Sequence, residues 1–203
     1  MQLTNLKDKI SYIIGRDMAA NLQKQGIEVE AEAFVQGMKE AMAGKPSVLS
    51  QTEVQQAMMA LQQEVSQRQQ SKSSGNKQAG EDFLAQNKNK EGVKTLPSGL
   101  QYQILEPGKG KSPSKTDNVT THYHGTLIDG TVFDSSYERG QPATFPVNGV
   151  IAGWTEALQL MQEGAKWRLF IPSNLAYGSR GAGSDIGPDS TLIFDVELIS
   201  VDK

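Results

Sequence analysis

A chain of 203 residues, 37% hydrophobic and 21% charged, is long enough for one large domain or two small ones and has the composition of a folded globular protein. Its net charge of -3 gives no electrostatic basis for binding nucleic acid or an anionic membrane. With no cysteine and only His122 and His124 as histidines, neither disulfide, thiolate nor zinc chemistry is expected.

Residues 1–10 alternate apolar with charged positions and lack the continuous apolar stretch of a signal peptide. No other segment approaches the roughly 20 apolar residues of a membrane span. The expectation is a cytoplasmic protein. Over 3–70 the apolar residues recur every three or four positions, beginning with Leu3, Leu6, Ile10, Ile13, Ile14, Met18 and Leu22, the period of an amphipathic helix. Gly26 stops this first helix, since glycine takes the left-handed conformation that ends helices at little steric cost. A second helix is expected over 30–42, with Phe34, Met38 and Met42 on one face, and it ends before Gly-Lys-Pro at 44–46. Ser50 and Glu53 have the spacing of a capping box, so a third helix starts there, with Val54, Met58, Leu61 and Val65 as its apolar stripe.

Beyond Ser66 the stripe gives way to Gln, Arg, Ser and Lys. The Ser-Ser-Gly at 73–75 is compatible with a flexible linker or with an exposed continuation of the helix that picks up Phe83 and Leu84; the continuation is preferred. Three helices with one apolar stripe each cannot build a large core alone. Met18, Met38, Met42, Met58 and Met59 suit either an interface with a second copy or an intramolecular helical core, because methionine fills irregular gaps.

After Thr95 the pattern changes. Residues 100–105, 119–123, 166–171 and 191–201 are short alternating runs separated by Pro, Gly, Asn and Asp, the pattern of an antiparallel sheet. One segment, 153–164, predicts a short helix bounded by glycines. The class is α+β, with the helix covering one sheet face.

Five blocks occur in order in this half: Thr-His-Tyr-His-Gly at 121–125, Gly-Thr-Val-Phe-Asp-Ser-Ser at 130–136, Val-Ile-Ala-Gly-Trp at 150–154, Leu-Ala-Tyr-Gly at 175–178 and Leu-Ile-Phe-Asp-Val-Glu-Leu at 192–198. Their order and spacing resemble the FKBP family of prolyl isomerases. The run Leu-Lys-Asp-Lys-Ile-Ser-Tyr-Ile-Ile-Gly-Arg-Asp-Met at 6–18 is similar to the first helix of the bacterial Mip-like subgroup. The resemblance implies an FKBP-like antiparallel β-sheet wrapped on one short helix, preceded by an all-α region with a long connecting helix. The implied divisions are a helical dimerisation domain at 1–48, a connecting helix or linker at 49–94 and an isomerase domain at 95–203.

It further implies a homodimer through the N-terminal helices, unfolded or proline-containing polypeptides as clients, macrolide inhibitors of the tacrolimus/rapamycin class, no cofactor, and no nucleic-acid or membrane partner. Carried over position by position, Asp134, Tyr177 and Tyr123 are the catalytic candidates. Phe133, Arg139, Val150, Ile151, Trp154, Ile186 and Phe194 are the substrate-binding candidates. Trp154 would floor the pocket, Tyr177 and the Ile151 amide would donate to substrate carbonyls, and Arg139 would help to orient the aspartate and tyrosine side chains.

Ala143 and Ala182 depart from the family by being small. Without the resemblance the aromatic residues would be ordinary core and Asp134 a turn residue or cap; Phe145, Phe170, Leu192 and Leu198 are expected to be core in either case. His122 is expected to support the fold and His124 to sit at a strand end. The Gly-rich stretch at 178–183 lacks the Gly-Lys-Ser/Thr ending of a phosphate loop and is expected to be a flap. A competing reading is a chaperone or proline-motif adaptor in which turnover is incidental.

Overall fold

The computed structural model describes residues 3–202; Met1, Gln2 and Lys203, at the ends of the expected 1–48 and 95–203 divisions, lie outside them. Its contacts fall into two compact units, Met1–Ser71 and Lys72–Lys203.

The first unit is helical. α1 (Leu6–Lys24) starts where Asn5 accepts the Asp8 amide at 2.9 Å, and Gly26 follows its end at φ 72°. α2 (Ala31–Met42) is followed by Gly44 at φ 66°. α3 (Gln51–Asn87) opens with the expected capping box: Glu53 accepts the Ser50 amide at 2.8 Å and Ser50 Oγ accepts the Glu53 amide at 3.3 Å. Within this unit Arg68 of α3 donates to the Gly26 carbonyl and pairs with Glu28 and Glu64.

No residue of α1 or α2 is buried within the chain. Met42 is 85% and Met59 63% exposed, and Met18 and Met58 are exposed as well. The reading of the methionines as an intramolecular core therefore fails for these four. α3 itself passes through Ser73, Ser74 and Gly75 without a break, as a helix and not as a linker.

The second unit is a seven-stranded antiparallel sheet: β1 (Val93–Thr95), β2 (Gln101–Glu106), β3 (Asn118–Leu127), β4 (Val132–Ser135), β5 (Ala143–Pro146), β6 (Lys166–Ile171) and β7 (Leu192–Asp202). The order is β1-β2-β6-β7-β3-β4, with β5 on the same side of β3 as β4. Along β7 Leu192, Phe194, Val196 and Leu198 are buried while Ile193, Asp195 and Glu197 are only half-buried, the period-two pattern of a strand with one core face. α4 (Ala152–Leu160) covers that face with Trp154, Ala157 and Leu158, a spacing of three and four that puts them on one side of a helix.

The helix expected over 153–164 is shorter because Met161 turns extended at ψ 155° and Gly164, at φ 81°, returns the chain toward β6. His124 lies inside β3, opposite Ser135 and Asp195, and not at a strand end.

The boundary between the compact units falls within α3, inside the segment expected to be a connector. Phe83 packs on Phe170 with ring centroids 5.9 Å apart, Asn87 donates to Gln101 at 3.0 Å, and Gly80 is buried against Thr191. Phe170 is buried as expected, but beneath Phe83 and outside the main core cluster.

A Cβ on Gly80 would lie 2.3 Å from Thr191 Oγ1, so Gly80→Ala should destabilise the second unit by about 1–3 kcal/mol through overpacking. Gly75 has nothing within 4 Å of the same position, and Gly75→Ala should stabilise the helix by about 0.5–1 kcal/mol. Urea unfolding of both variants checks the pair; equal and small effects would mean that the end of α3 is not docked on the sheet.

Candidate active site

The aromatic side chains that the sequence places in separate blocks meet around one cavity of about 630 Å³. Trp154, in the first turn of α4, is 4% exposed and forms its floor. Tyr123 of β3 meets Trp154 edge-on at 5.3 Å and 87°, and Phe194 of β7 does so at 5.2 Å and 85°. Phe133 of β4 packs on Phe194 at 5.3 Å and 82°. Edge-to-face geometry of this kind is the favoured arrangement for aromatic pairs.

Two glycines permit it. A Cβ at Gly125 would come within 2.7 Å of both Phe133 and Phe194, and one at Gly153 within 2.6 Å of Ile171. Only bare backbone lets the rings close over β3 and lets α4 descend onto β6.

The wall opposite the apolar floor carries the polar groups. The Tyr123 hydroxyl donates to Asp134 at 2.6 Å and accepts from Arg139 at 2.7 Å. Arg139 also bonds directly to the other Asp134 oxygen, and its guanidinium stands 5.4 Å from the centre of the Tyr123 ring. Burial pushes the Asp134 carboxyl up, but the hydrogen bonds from Tyr123 and Arg139 and the charge of Arg139 outweigh it, so it is held below the ordinary carboxylate value. Burial, reinforced by the Asp134 acceptor, pushes the Tyr123 phenol above its ordinary value. At neutral pH the cluster is therefore a carboxylate, a guanidinium and a neutral phenol.

Ser136 latches this wall to the sheet, accepting the Tyr123 amide at 2.7 Å while its own amide donates to the Tyr123 carbonyl at 2.9 Å. His122 Nδ1 lies 2.9 Å from Ser136 Oγ and the ring stacks on Tyr137 at 4.6 Å. It supports the fold and, like His124, does not line the pocket.

Of the ten candidates, nine line the cavity; Arg139 stands behind it and acts through Asp134 and Tyr123. Val150 and Ile151 enter from the segment preceding α4, Tyr177 and Ile186 from the opposite rim. Among the described residues no protein acceptor engages the Ile151 amide or the Tyr177 hydroxyl. Phe145, expected to be core, is half-buried and lines the cavity 5.5 Å from Trp154. β5 is only four residues long, and Phe145 is its one residue among those lining the cavity. Gly149, Gly183 and Asp185 also line it. Ala182 lines the rim and Ala143 does not.

Residues 109–199 match the family described as "FKBP-type peptidyl-prolyl cis-trans isomerase" and residues 7–104 that described as "Domain amino terminal to FKBP-type peptidyl-prolyl isomerase". The chain is 47% identical over 205 residues to "Outer membrane protein MIP" of Legionella longbeachae, covering 99% of this chain and 88% of that one. It is 44% identical over 197 residues to the "FKBP-type 22 kDa peptidyl-prolyl cis-trans isomerase" of Escherichia coli strain K12, covering 97% and 96%. The crystal structure of FkpA from Escherichia coli superposes with a TM-score of 0.71 at 39% identity, covering 99% of each chain. The expected cytoplasmic location finds no support in these names, one of which is an outer membrane protein. No described helix is long and apolar enough to cross a membrane.

Because the Asp134 carboxyl is held below its unfolded value near about 3.9, its contribution to stability is complete above that pH and is lost as pH falls through the lower folded value. The difference in thermal midpoint between the wild type and Asp134→Asn should therefore narrow as pH drops from about 6 to about 3. A difference that stays constant over that range would show that the carboxylate is not held as an ion.

Proposed function

Because this chain belongs to the FKBP-type peptidyl-prolyl cis-trans isomerases, we propose that it rotates X-Pro bonds in folding polypeptides, using the pocket floored by Trp154, while its N-terminal helices form a homodimer and hold clients. The observation that carries the reading is the aromatic cavity itself, closed on the floor by Trp154, Tyr123 and Phe194 and bounded on one wall by a charge-neutral Asp134–Arg139–Tyr123 cluster.

The barrier to rotation is about 18–20 kcal/mol because resonance gives the C–N bond partial double-bond character. The planar amide is the more charge-separated form, so removing its carbonyl from water into an apolar cavity disfavours it relative to the twisted form. A site that binds the twisted amide better than the planar one lowers the barrier directly. The proline ring sits on the face of Trp154, and the Tyr177 hydroxyl and Ile151 amide donate to flanking substrate carbonyls, fixing the backbone on either side of the turning bond. Asp134, ionised and anchored, faces the substrate carbonyl region and presents a fixed field there. No covalent bond forms or breaks, and no group in the pocket needs to exchange a proton. Macrolides of the tacrolimus/rapamycin class fill the same cavity and therefore compete with substrate.

The helical unit supports the homodimer. Ile10, Ile13, Ile14 and Met18 of α1 are exposed within one chain, and an isolated amphipathic helix of 19 residues gains most of its stability from covering such a face. The organisation we propose is dimerisation through 1–48, a connecting segment over 49–94 whose helix, α3, ends at Asn87 with its last turns docked on the sheet and is followed by β1 from Val93, and catalysis within 95–203. Two pockets in one dimer raise the effective concentration of a tethered client at the second site.

Trp154→Ala should lower kcat/KM on a short proline peptide by about tenfold or more, equivalent to about 1.4 kcal/mol of transition-state stabilisation, while suppression of aggregation of a proline-free client by the full chain is retained. Loss of both together would sink the division of labour. A chain starting at Lys72 should be monomeric and active on the peptide, yet should speed proline-limited refolding of a protein far less than the full chain. If neither form rotates the peptide, the pocket binds proline segments without turning them over.

A further inference from the structure

Residues 178–190 form one rim of the pocket and supply Ala182, Gly183, Asp185 and Ile186 to it. The segment closes on itself: Ala182 and Ile186 exchange amide-to-carbonyl bonds of 2.9 and 3.1 Å, and the Asp189 amide donates to the Gly178 carbonyl at 2.9 Å. Gly178, Gly181 and Gly183 all have positive φ, and glycine backbone has many alternative conformations available. A self-closed, glycine-rich rim keeps a single orientation only if something outside it holds it.

The last turns of α3 do so. Ser73 Oγ donates to Asp189 Oδ2 at 2.5 Å. Asn76 Nδ2 donates to the Pro188 carbonyl at 2.8 Å and reaches Ser190 Oγ at 3.4 Å, and that hydroxyl in turn donates to the Gly187 carbonyl at 2.9 Å. The spacing of three puts Ser73 and Asn76 on one helix face, and Gly80 continues that face against Thr191. Asp189, with φ 54°, is the one non-glycine residue of positive φ among the described residues. Such backbone persists only where its surroundings over-determine it, and here the Gly178 carbonyl and the Ser73 hydroxyl grip Asp189 from its main chain and its side chain.

We propose that Ser73 and Asn76 are positioning residues for isomerisation: from outside the pocket they fix residues 187–190 and thereby set where Asp185 and Ile186 meet the substrate. The inference rests on the pocket being the isomerase site. Neither residue lines the cavity, so both act through the rim. A polar stretch of helix that looks like a solvated connector thus takes part in substrate recognition.

The test uses the full-length protein as wild type, Ser73→Ala, Asn76→Ala, the double variant, and Ser73→Thr, which keeps the hydroxyl. Amide hydrogen exchange over 178–190 should accelerate in the alanine variants. KM for a short proline peptide should rise about three- to tenfold with kcat within about twofold, and Ser73→Thr should stay close to wild type. Wild-type turnover in the same assay tests the isomerase reading separately, and exchange reports on the rim whether or not the peptide turns over. Unchanged exchange and unchanged KM overturn the proposal. So does a lowered thermal midpoint with KM unchanged, because the contacts would then serve stability alone; if the double variant does not fold, the single variants decide.

Discussion

The site depends on how closely α4 can approach the sheet. Nine residues of helix rest on the inner face of the strands because Gly153 leaves room for Ile171, whose Cγ2 would otherwise lie 2.6 Å from a Cβ. Trp154 follows directly and is pressed to near-complete burial, with its Nε1 left without a hydrogen-bond partner among the described residues. Tyr123, Phe145 and Phe194 then converge edge-first on one ring, and Gly125 gives Phe133 its place against Phe194.

The polar wall is built so that it does not oppose this apolar floor. A lone carboxylate beside an apolar cavity would tend to take up a proton. Arg139 and Tyr123 hold Asp134 in the ionised form, and the pair has no net charge to pull water into the pocket. The price is rigidity: the cluster needs β3 and β4 in one register. Ser136 supplies that constraint by bonding both main-chain groups of Tyr123, and His122 packs behind it. The two serines of the Phe-Asp-Ser-Ser block are thus buried parts of the scaffold, whereas its Phe and Asp line the cavity.

Long periodic elements were legible in the sequence because their signal is repeated: α1, α2 and the start of α3 through spacing and caps, and β2, β3, β6 and β7 through alternation. The aromatic and acidic site residues were legible only through the spacing of the five blocks, since each alone looks like core or turn. β1, β4 and β5 have three or four residues each, too few for alternation to be seen, and nothing local distinguishes Phe145 as a pocket residue from a core one. In the docking of residues 72–87 only the apolar Phe83 and Leu84 gave a local signal; its polar contacts gave none. Ser73 and Asn76 find their partners at Asp189 and Pro188, 116 and 112 positions away, and a polar side chain satisfied by a distant loop is indistinguishable in sequence from one satisfied by water.

The two units solve the problem of apolar surface in opposite ways. In Lys72–Lys203 the sheet and α4 enclose a continuous core that includes Leu100, Leu158, Leu169 and Val196, each fully buried. In Met1–Ser71 the helices leave Ile13, Ile14, Met42 and Met59 open, and large exposed apolar patches on a folded chain mark surfaces made to be covered. In the proposed homodimer a second copy would remove them from water, and exposed methionines such as Met42 and Met59 would adapt to irregular shapes. The pocket needs the opposite property. Its rings must stay fixed to disfavour the planar amide, and a site that adapted to each client would bind planar and twisted forms alike and lose its effect on the barrier. On the proposed function, keeping the adaptable surface in one unit and the aromatic cavity in the other would let one chain hold varied polypeptides without softening the site that turns their bonds.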